Sequence, residues 1–177
     1  MKNFYSNINK SKKILDDGKV VAIPTETVYG LAGNAYSDVA VKRIFKLKNR
    51  PYKNPLIVHY FSIKNLHKDC KTNKIFDILY NKFCPGPITF VLNKKSNSRI
   101  SKYVTSNKKT VAVRFPKNKI ARTLLSRLSF PLAAPSANIS SKLSPTCSKD
   151  VKEEFGNKIK FILDGGNCKI GLESTII

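Results

Sequence analysis

Short apolar segments alternate along this chain with segments whose apolar residues recur at helical spacing. Residues 20–23, 56–60 and 88–92 have the length and composition of buried strands. Between such segments the apolar residues recur every three or four positions, as Val41, Ile44 and Phe45 do. This alternation predicts an α/β fold in which helices pack on a mixed, partly parallel sheet. Loops at the strand ends are then expected to carry the functional site.

The same patterns predict the order of the elements. An opening helix is stopped by Gly18, Ser37 caps the helix that ends before Pro51, and residues 24–30 form a hydroxyl-rich loop. Pro85-Gly86-Pro87 and Asp164-Gly165-Gly166 predict turns. The predicted helices contain residues 8–15, 41–45, 75–83 and 124–128, and the predicted strands are residues 20–23, 56–60, 88–92, 111–115, 131–134, 160–163 and 171–177.

The length of 177 residues suits one domain with a continuous core. No apolar run approaches the roughly 18 residues of a membrane span, and the N-terminus has no signal-peptide core. We therefore expect a soluble, cytoplasmic protein with no membrane partner. The cysteines form no C-x-x-C pair and no metal-ligand cluster with the histidines, so no metal site is predicted and the thiols are expected to be reduced: Cys70, Cys84, Cys147 and Cys168, with His59 and His67.

The formal charge of +22, from 33 basic and 11 acidic residues, favours a polyanionic partner. Nucleic acid or a nucleotide is the natural candidate. A biased genome composition, with lysines spread over solvated faces, explains the same number equally well. The charge alone does not separate these two explanations.

The common phosphate-binding motifs are missing from the sequence. There is no P-loop, no G-x-G-x-x-G and no nucleophile elbow, so a nucleotide site would have to be built differently. Lys48-Asn49-Arg50 ends a predicted helix before Pro51, where two cations could clamp phosphate oxygens or merely cap the helix. Pro135-Ser136-Ala137-Asn138 follows a small-residue strand, and its hydroxyl and amide suit phosphate, ribose or an ordinary turn.

Other polar residues are candidates for binding a small ligand. Thr25, Thr27 and Tyr29 place several hydroxyl groups in one loop after a strand. His59 closes an apolar strand, where a hydrogen-bonded core histidine is the alternative. Arg114 has apolar neighbours in its strand, and a guanidinium there needs a carboxylate or phosphate partner.

Seven segments occur together, in one order along the chain, and their combination is more specific than any one of them. Together they closely resemble the Sua5/YrdC/TsaC family of L-threonylcarbamoyladenylate synthases, over residues 19–177. The paired K-x-R and S-x-N elements, at this separation, carry most of the specificity. The segments are residues 23–31 (IPTETVYGL), 48–51 (KNRP), 54–59 (NPLIVH), 84–89 (CPGPIT), 113–116 (VRFP), 134–138 (APSAN) and 173–175 (EST).

The resemblance implies a YrdC-like twisted mixed sheet with flanking helices around a concave basic cavity. It also implies a nucleotidyltransferase that makes threonylcarbamoyl-AMP and pyrophosphate from L-threonine, bicarbonate or CO2, and ATP. A TsaD/Kae1-type transferase would then pass the threonylcarbamoyl group to N6 of adenosine 37 of tRNA (t6A37). Binding of double-stranded RNA is a further property that the resemblance implies.

The family's functional residues carry over onto matching positions of this chain. The resemblance places Thr27, His59, Arg114, Ala134 and Ser174 around threonine, with Arg114 pairing the carboxylate. It places Arg50, Asn54, Thr110, Ser136 and Ser144 against ATP. The residues that it implies in catalysis are Lys48, Arg50, Ser136 and Asn138.

The implied reaction brings several anions together, so positioning and electrostatics would supply most of the catalysis. Lys48 and Arg50 can offset charge on the phosphates in the transition state. Because the sequence has no clustered carboxylates, a Mg²⁺ ion is expected to arrive on the ATP triphosphate. The sequence identifies no general base.

The sequence departs from the family at its C-terminal end. Family members usually continue through an Arg-Pro-Gly segment that contributes to the ATP site, and the longer branch adds a linker and a C-terminal domain. We expect one YrdC-like domain over residues 1–177 without either part. A truncated chain, a divergent short protein and an incomplete gene product all remain open as explanations.

Two other functions compete with the synthase. One is the carbamoyl-adenylating domain of HypF, which shares the fold but belongs to much longer proteins. The other is an RNA-binding or ribosome-maturation factor, for which the charge would suffice. Thr27, His59, Arg114 and Ser174 discriminate against the RNA-binding alternative, because a simple RNA binder needs no amino-acid pocket.

Overall fold

The computed structural model describes residues 2–177. Helices and strands alternate along the chain, as the apolar pattern predicts. The helices are α1 (Lys2–Asp16), α2 (Asp38–Lys48), α3 (Ile63–Leu66), α4 (Lys74–Phe83), α5 (Lys119–Ser126) and α6 (Ser148–Phe155), followed by a 3₁₀ turn at Gly156–Lys158. The strands are β1 (Val21–Ile23), β2 (Gly30–Asn34), β3 (Ile57–His59), β4 (Ile88–Asn93), β5 (Thr110–Arg114), β6 (Leu132–Ala133) and β7 (Thr175–Ile176).

The seven strands form one mixed sheet in the order β1-β2-β6-β3-β5-β4-β7. Strand β3 pairs with β5 in parallel, and β4 pairs with β7 in parallel, whereas the other neighbours are antiparallel. The predicted α/β class with a mixed, partly parallel sheet and flanking helices is therefore confirmed. No helix in the described part of the chain is long and apolar enough to cross a membrane.

Each face of the sheet carries its own core. On one face, alternate residues such as Val58, Phe90 and Val113 pack with α2, α4 and α6. On the other face, α1 and α5 cover β1, β2 and β6. The rest of that second face, over β3, β5 and β4, is less covered: Ala112 is half-buried and Val91 is exposed. We call this region the open half-face, and strand alternation directs the side chains of His59, Arg114 and Thr89 toward it.

The end of α2 has a defined geometry that sets the position of the Lys48-Asn49-Arg50 corner. Ser37 caps the start of the helix, its hydroxyl accepting the Ala40 N–H at 3.2 Å. Asn49 adopts a left-handed conformation, with φ of 48°, and its N–H bonds to the carbonyls of Phe45 and Lys46. Helices commonly end in this way, with Asn the usual alternative to Gly. The prediction that the helix ends just before Pro51 is confirmed.

Several predicted elements differ from the structure. Strand β2 and helices α3 and α6 were not predicted, and the predicted strand at residues 160–163 is reduced to one bridge between Ile162 and Ala22. Strand β2 contains two glycines and no β-branched residue, so no local signal marks it. Its hydrogen bonds to β1 and β6 create the strand instead.

Helix α4 forms where the spacing predicts it, but its buried face is different. Ile75 and Ile78 are 67% and 66% exposed, and Phe83 is also exposed. Phe76 is buried instead and packs edge-to-face against Phe90 of β4, with ring centroids 4.9 Å apart. Apolar residues occupy more than one face of this helix, so periodicity alone could not choose the buried one.

Candidate active site

Three neighbouring strands bring His59, Arg114 and Thr89 side by side. His59 lies opposite Arg114 in the parallel pair β3/β5, and Thr89 lies opposite Arg114 in the antiparallel pair β4/β5. Two loop residues complete the group. Thr27 Oγ1 accepts a hydrogen bond from Arg114 Nη1 at 2.8 Å, and Ser174 Oγ lies 2.7 Å from Thr89 Oγ1. We call these five residues the Arg114 cluster.

The Arg114 cluster contains buried polar atoms that no residue of 2–177 satisfies. Both ring nitrogens of His59 and Nε of Arg114 are buried without a hydrogen-bond partner. Burial, and then the nearby charge of Arg114, lower the pKa of His59 to about 3, so the imidazole is neutral at physiological pH. An unsatisfied buried polar group costs about 1–3 kcal/mol, which indicates that these atoms are aimed at a ligand.

The hydroxyl of Thr27 has one hydrogen-bonding position left for a ligand. Thr25 Oγ1 donates to the Val28 carbonyl at 2.7 Å and accepts the backbone N–H groups of Thr27 and Val28 at 3.1 and 3.2 Å. Thr27 Oγ1 accepts from Arg114 and lies 2.9 Å from Thr25 Oγ1, where either hydroxyl can be the donor. Thr27 therefore keeps one hydrogen-bonding position, as a donor or as an acceptor, for a polar group of a substrate.

Ala134 contributes backbone and a small side chain. Its N–H already donates to the Ile57 carbonyl at 2.9 Å, so a ligand could contact only its carbonyl or methyl group. A Cβ atom added at Gly30 would lie 3.4 Å from Ala134 Cβ, so the two segments run in close contact. Small residues at both positions allow residues 24–30 and 134–138 to approach each other.

Lys48 is buried at the junction between α2 and the Ser136–Asn138 segment. Lys48 is only 1% exposed. Its ammonium group donates to the Ser136 carbonyl at 2.6 Å, the Asn138 carbonyl at 2.5 Å and Asn138 Oδ1 at 3.3 Å. Burial, followed by repulsion from Arg50, lowers the pKa of Lys48 to about 8. All three N–H donors are used, so Lys48 fixes the Ser136–Asn138 segment in place and has no donor left for a phosphate. We call Lys48, Arg50, Ser136 and Asn138 the Lys48 cluster.

Arg50 is the cation of the Lys48 cluster that keeps free donors. Its Nε donates to the Asn54 carbonyl at 3.1 Å and Nη2 to the Pro55 carbonyl at 3.0 Å. Two of the five N–H groups are therefore used within residues 2–177, and three remain to contact an anion. Asn54 acts here through its backbone carbonyl rather than through its side chain.

Glu173 is next to one cluster in sequence and acts on the other through its charge. Ser144 Oγ donates to Glu173 Oε1 at 2.8 Å, and Glu173 directly precedes Ser174 of the Arg114 cluster. Glu173 also acts on Arg50: burial lowers the pKa of the guanidinium, and the Glu173 charge opposes that effect. Thr110 is not brought into this network. It begins β5, four residues from Arg114 on the same face, and has no side-chain hydrogen bond within the described chain.

Three residues of the site were not assigned from the sequence: Glu26, Thr89 and Glu173. Glu26 is buried and pairs with Arg114, Nη2 to Oε1 at 2.7 Å. Its position among hydroxyl residues in PTETVYG gave no sign of that partner. Thr89 offered no clear signal either, since it alternates with Ile88 and Phe90 onto the opposite face of the segment 88–92, where a polar residue is ordinary.

A cavity of about 650 Å³ adjoins the Arg114 cluster on the side of Glu26. Its basic lining residues are Lys117, Lys119 and Lys169, and Thr25 and Glu26 lie on its wall. None of the five residues of the Arg114 cluster lies on its wall. It does not reach Lys48, Arg50, Ser136 or Asn138, which lie on a separate part of the site.

Comparison with known proteins places the chain in a family. A family model named Sua5_yciO_yrdC, described as "Telomere recombination", matches residues 13–177. Threonylcarbamoyl-AMP synthase of Pyrococcus abyssi is 48% identical over 162 residues, which are 91% of this chain and 47% of that protein. The putative threonylcarbamoyl-AMP synthase of Methanocaldococcus jannaschii is 33% identical over 184 residues, 100% of this chain and 86% of that protein.

A solved structure agrees with the sequence relatives. The crystal structure of P. abyssi Sua5 complexed with L-threonine superposes with a TM-score of 0.93 at 46% identity, covering 96% of this chain and 50% of that one. The chain thus spans about half the length of the P. abyssi protein. Family match, sequence identity and fold agree with the motifs and their positions in the sheet: the chain belongs to the Sua5/YciO/YrdC family.

Proposed function

We propose that this chain is an L-threonylcarbamoyladenylate synthase, which forms threonylcarbamoyl-AMP and pyrophosphate from L-threonine, bicarbonate or CO2, and ATP. The observation that carries the proposal is the Arg114 cluster. A buried guanidinium with a free Nε–H lies beside a neutral histidine and three hydroxyl groups, at the edge of the open half-face. Residues 1–177 are proposed to form one YrdC-like domain.

The polar atoms of the Arg114 cluster match the groups of an amino acid. Arg114 Nε can donate to the substrate carboxylate, and the remaining hydrogen-bonding position of Thr27 can take another polar group of the amino acid. Neutral His59 can donate from one ring nitrogen and accept at the other. The Thr89–Ser174 hydroxyl pair supplies a further donor and acceptor. The P. abyssi relative, whose structure contains L-threonine, supports threonine as this amino acid.

The Lys48 cluster is proposed to hold ATP. Arg50 offers three N–H donors to phosphate oxygens, and Ser136 and Asn138 are held next to it by Lys48. Asn54, Thr110 and Ser144 complete the proposed ATP contacts. Among residues 2–177, no group of three His, Cys, Asp or Glu side chains is placed to hold a metal, so in this proposal Mg²⁺ arrives on the ATP phosphates.

The two clusters suit the two bonds that the reaction makes. The free amine of threonine attacks the carbon of CO2 or bicarbonate and forms a carbamate. With CO2 one C=O π bond opens and the nitrogen releases a proton to solvent; with bicarbonate a C–O bond breaks and the leaving hydroxide takes that proton and departs as water. A carbamate oxygen then attacks the α-phosphorus of ATP, and the bond to pyrophosphate breaks. The chain's contribution is to orient threonine at Arg114 and to offset phosphate charge at Arg50, and neither step requires a covalent enzyme intermediate.

We further propose that the product serves t6A37 modification of tRNA in the cytoplasm, through a TsaD/Kae1-type transferase. The charge of +22 supports tRNA as a partner of this chain. If lysines and arginines contact the tRNA phosphates, the logarithm of the binding constant falls linearly with the logarithm of the salt concentration. A tRNA binding constant that does not change with salt concentration would indicate that the charge reflects a biased amino-acid composition rather than tRNA binding.

The proposed synthase reaction is tested by pyrophosphate release from ATP and bicarbonate with and without L-threonine. We expect release that depends on threonine, and no such dependence would reject the proposal. Ser174→Ala and Ser144→Ala form a matched pair, because both delete one half-buried hydroxyl. Ser174→Ala should raise mainly the KM for threonine and Ser144→Ala mainly the KM for ATP, each about 2–10-fold for one lost hydrogen bond. Equal effects on both substrates would contradict the division into two clusters.

A further inference from the structure

Glu26 is a buried carboxylate whose two oxygens have different partners. Glu26 is 8% exposed, and Arg114 is 4% exposed. Oε1 accepts from Arg114 Nη2 at 2.7 Å. Oε2 accepts the backbone N–H groups of Lys117 at 2.9 Å and Asn118 at 3.2 Å, in the loop between β5 and α5. The loop therefore holds one oxygen, and the guanidinium is held by the other.

This arrangement fixes the orientation of Arg114. Two backbone N–H groups prevent the Glu26 carboxylate from rotating, so Arg114 can meet it only along one edge. With Nη2 held by Glu26 and Nη1 by Thr27, the plane of the guanidinium is defined by two contacts on different residues. Nε is then the guanidinium nitrogen without any partner among residues 2–177, and one N–H on each of Nη1 and Nη2 also remains free.

The same contact determines the net charge of the Arg114 cluster, which is the proposed amino-acid pocket. Arg114 with Glu26 is a neutral pair, whereas Arg114 alone would be a buried cation beside a neutral His59. A buried, uncompensated arginine attracts phosphate strongly, and the nearby Lys48 cluster is where a triphosphate is proposed to bind. A zwitterionic amino acid has no net charge, so the Glu26 charge disfavours it much less than it disfavours a polyanion.

We propose that Glu26 is a positioning and specificity-determining residue, which orients Arg114 for an amino-acid carboxylate and excludes phosphate from the pocket by its charge. This inference rests on the proposed threonine-binding role of Arg114. Glu26 does not touch the reacting atoms and acts through Arg114. The pocket therefore selects its ligand by directed hydrogen bonds rather than by net positive charge.

Two variants separate orientation from charge. Glu26→Gln keeps the shape but removes the charge, and its single acceptor oxygen cannot serve both Arg114 and the backbone N–H groups. Glu26→Asp keeps the charge but is one methylene shorter. Calorimetry should give a threonine Kd about tenfold higher for both variants, the size expected for a lost hydrogen bond to a charged group. Only Glu26→Gln should gain competition between threonine and inorganic phosphate.

The outcomes distinguish this inference from the proposed function. If the wild-type chain binds no threonine, the proposed function fails. If the wild type binds threonine and Glu26→Gln binds it equally well without phosphate competition, the inference alone fails. If a urea titration shows that Glu26→Gln does not fold, the test uses Glu26→Asp, which keeps the negative charge. Weaker threonine binding by Glu26→Asp without phosphate competition supports the inference. Phosphate competition in Glu26→Asp overturns it. Glu153→Gln on the exposed surface of α6 serves as the charge-matched control and should change neither measurement.

Discussion

Replacing Lys48 by Met tests whether this lysine is a structural clamp rather than a phosphate ligand. The substitution leaves three carbonyl oxygens of Ser136 and Asn138 without their donor, at a cost of about 2 kcal/mol each. It also removes the penalty of burying an ammonium, which is about 3 kcal/mol for a pKa lowered from 10.5 to about 8. The lost hydrogen bonds outweigh this gain, and we expect the free energy of unfolding to fall by about 3 kcal/mol.

The pH dependence of Lys48→Met has a predictable sign. Between about pH 8 and 10.5 the unfolded wild type binds the Lys48 proton and the folded wild type does not, so the wild type gains stability from this group as pH rises. Below pH 8 both states are protonated, and this contribution is flat. The variant lacks the group, so the difference in free energy of unfolding should widen above pH 8 by up to about 3 kcal/mol.

Urea titrations of wild type and Lys48→Met at pH 7 and pH 9.5 measure both effects. Lys46→Met is the matched control, because Lys46 lies on the same helix and its side chain is exposed. That control should stay within about 0.5 kcal/mol of wild type. A Lys48→Met variant as stable as the control, with lost ATP binding as its only defect, would refute the structural assignment and restore a direct phosphate contact.

Three further predictions follow from buried groups. The pKa of His59 is lowered to about 3, so below pH 6.5 the unfolded state takes up a proton that the folded state does not, and the folded state loses about 2 kcal/mol of stability by pH 5. His59→Phe should therefore be less sensitive to acid than the wild type in urea titrations. Equal acid sensitivity of the two proteins would contradict this. Asp69 accepts hydrogen bonds from Tyr36, Tyr60, Ser98 and the Arg99 N–H, so Asp69→Asn should destabilise by about 2–4 kcal/mol while Asp77→Asn on exposed α4 should not. Phe76→Ala should cost about 3–5 kcal/mol in thermal or urea unfolding, against less than about 0.5 for Ile75→Ser, and similar losses would contradict the burial of Phe76 and the exposure of Ile75.

Local chemistry made much of the fold predictable. Ser37, Gly18 and Pro51 mark helix ends through capping and φ restrictions that act within a few residues, and the structure agrees at each of them. Strands β1, β3, β4 and β5 follow apolar segments long enough to be recognised. Strand β2 could not be found in this way, because its glycines form a strand only when β1 and β6 supply partners.

The order of the motifs nominated a set of candidate site residues, whereas the role proposed for each depends on distances that the sequence does not contain. Lys48 and Arg50 are both simply cations of a K-x-R motif in the sequence. In the structure all N–H donors of Lys48 bond to the Ser136–Asn138 segment, whereas Arg50 keeps three free donors. Glu26 and Arg114 are 88 residues apart in sequence and meet at 2.7 Å.

The sequence by itself determined most of the helices and strands, apart from β2, α3 and α6, and it nominated the candidate site residues, apart from Glu26, Thr89 and Glu173. Capping, periodicity and motif order act along the chain and leave a local trace. The tertiary structure alone decided which donors are consumed, which are free and which charges compensate each other. Those properties arise from pairing across the sheet and from burial, which join residues that are distant in sequence.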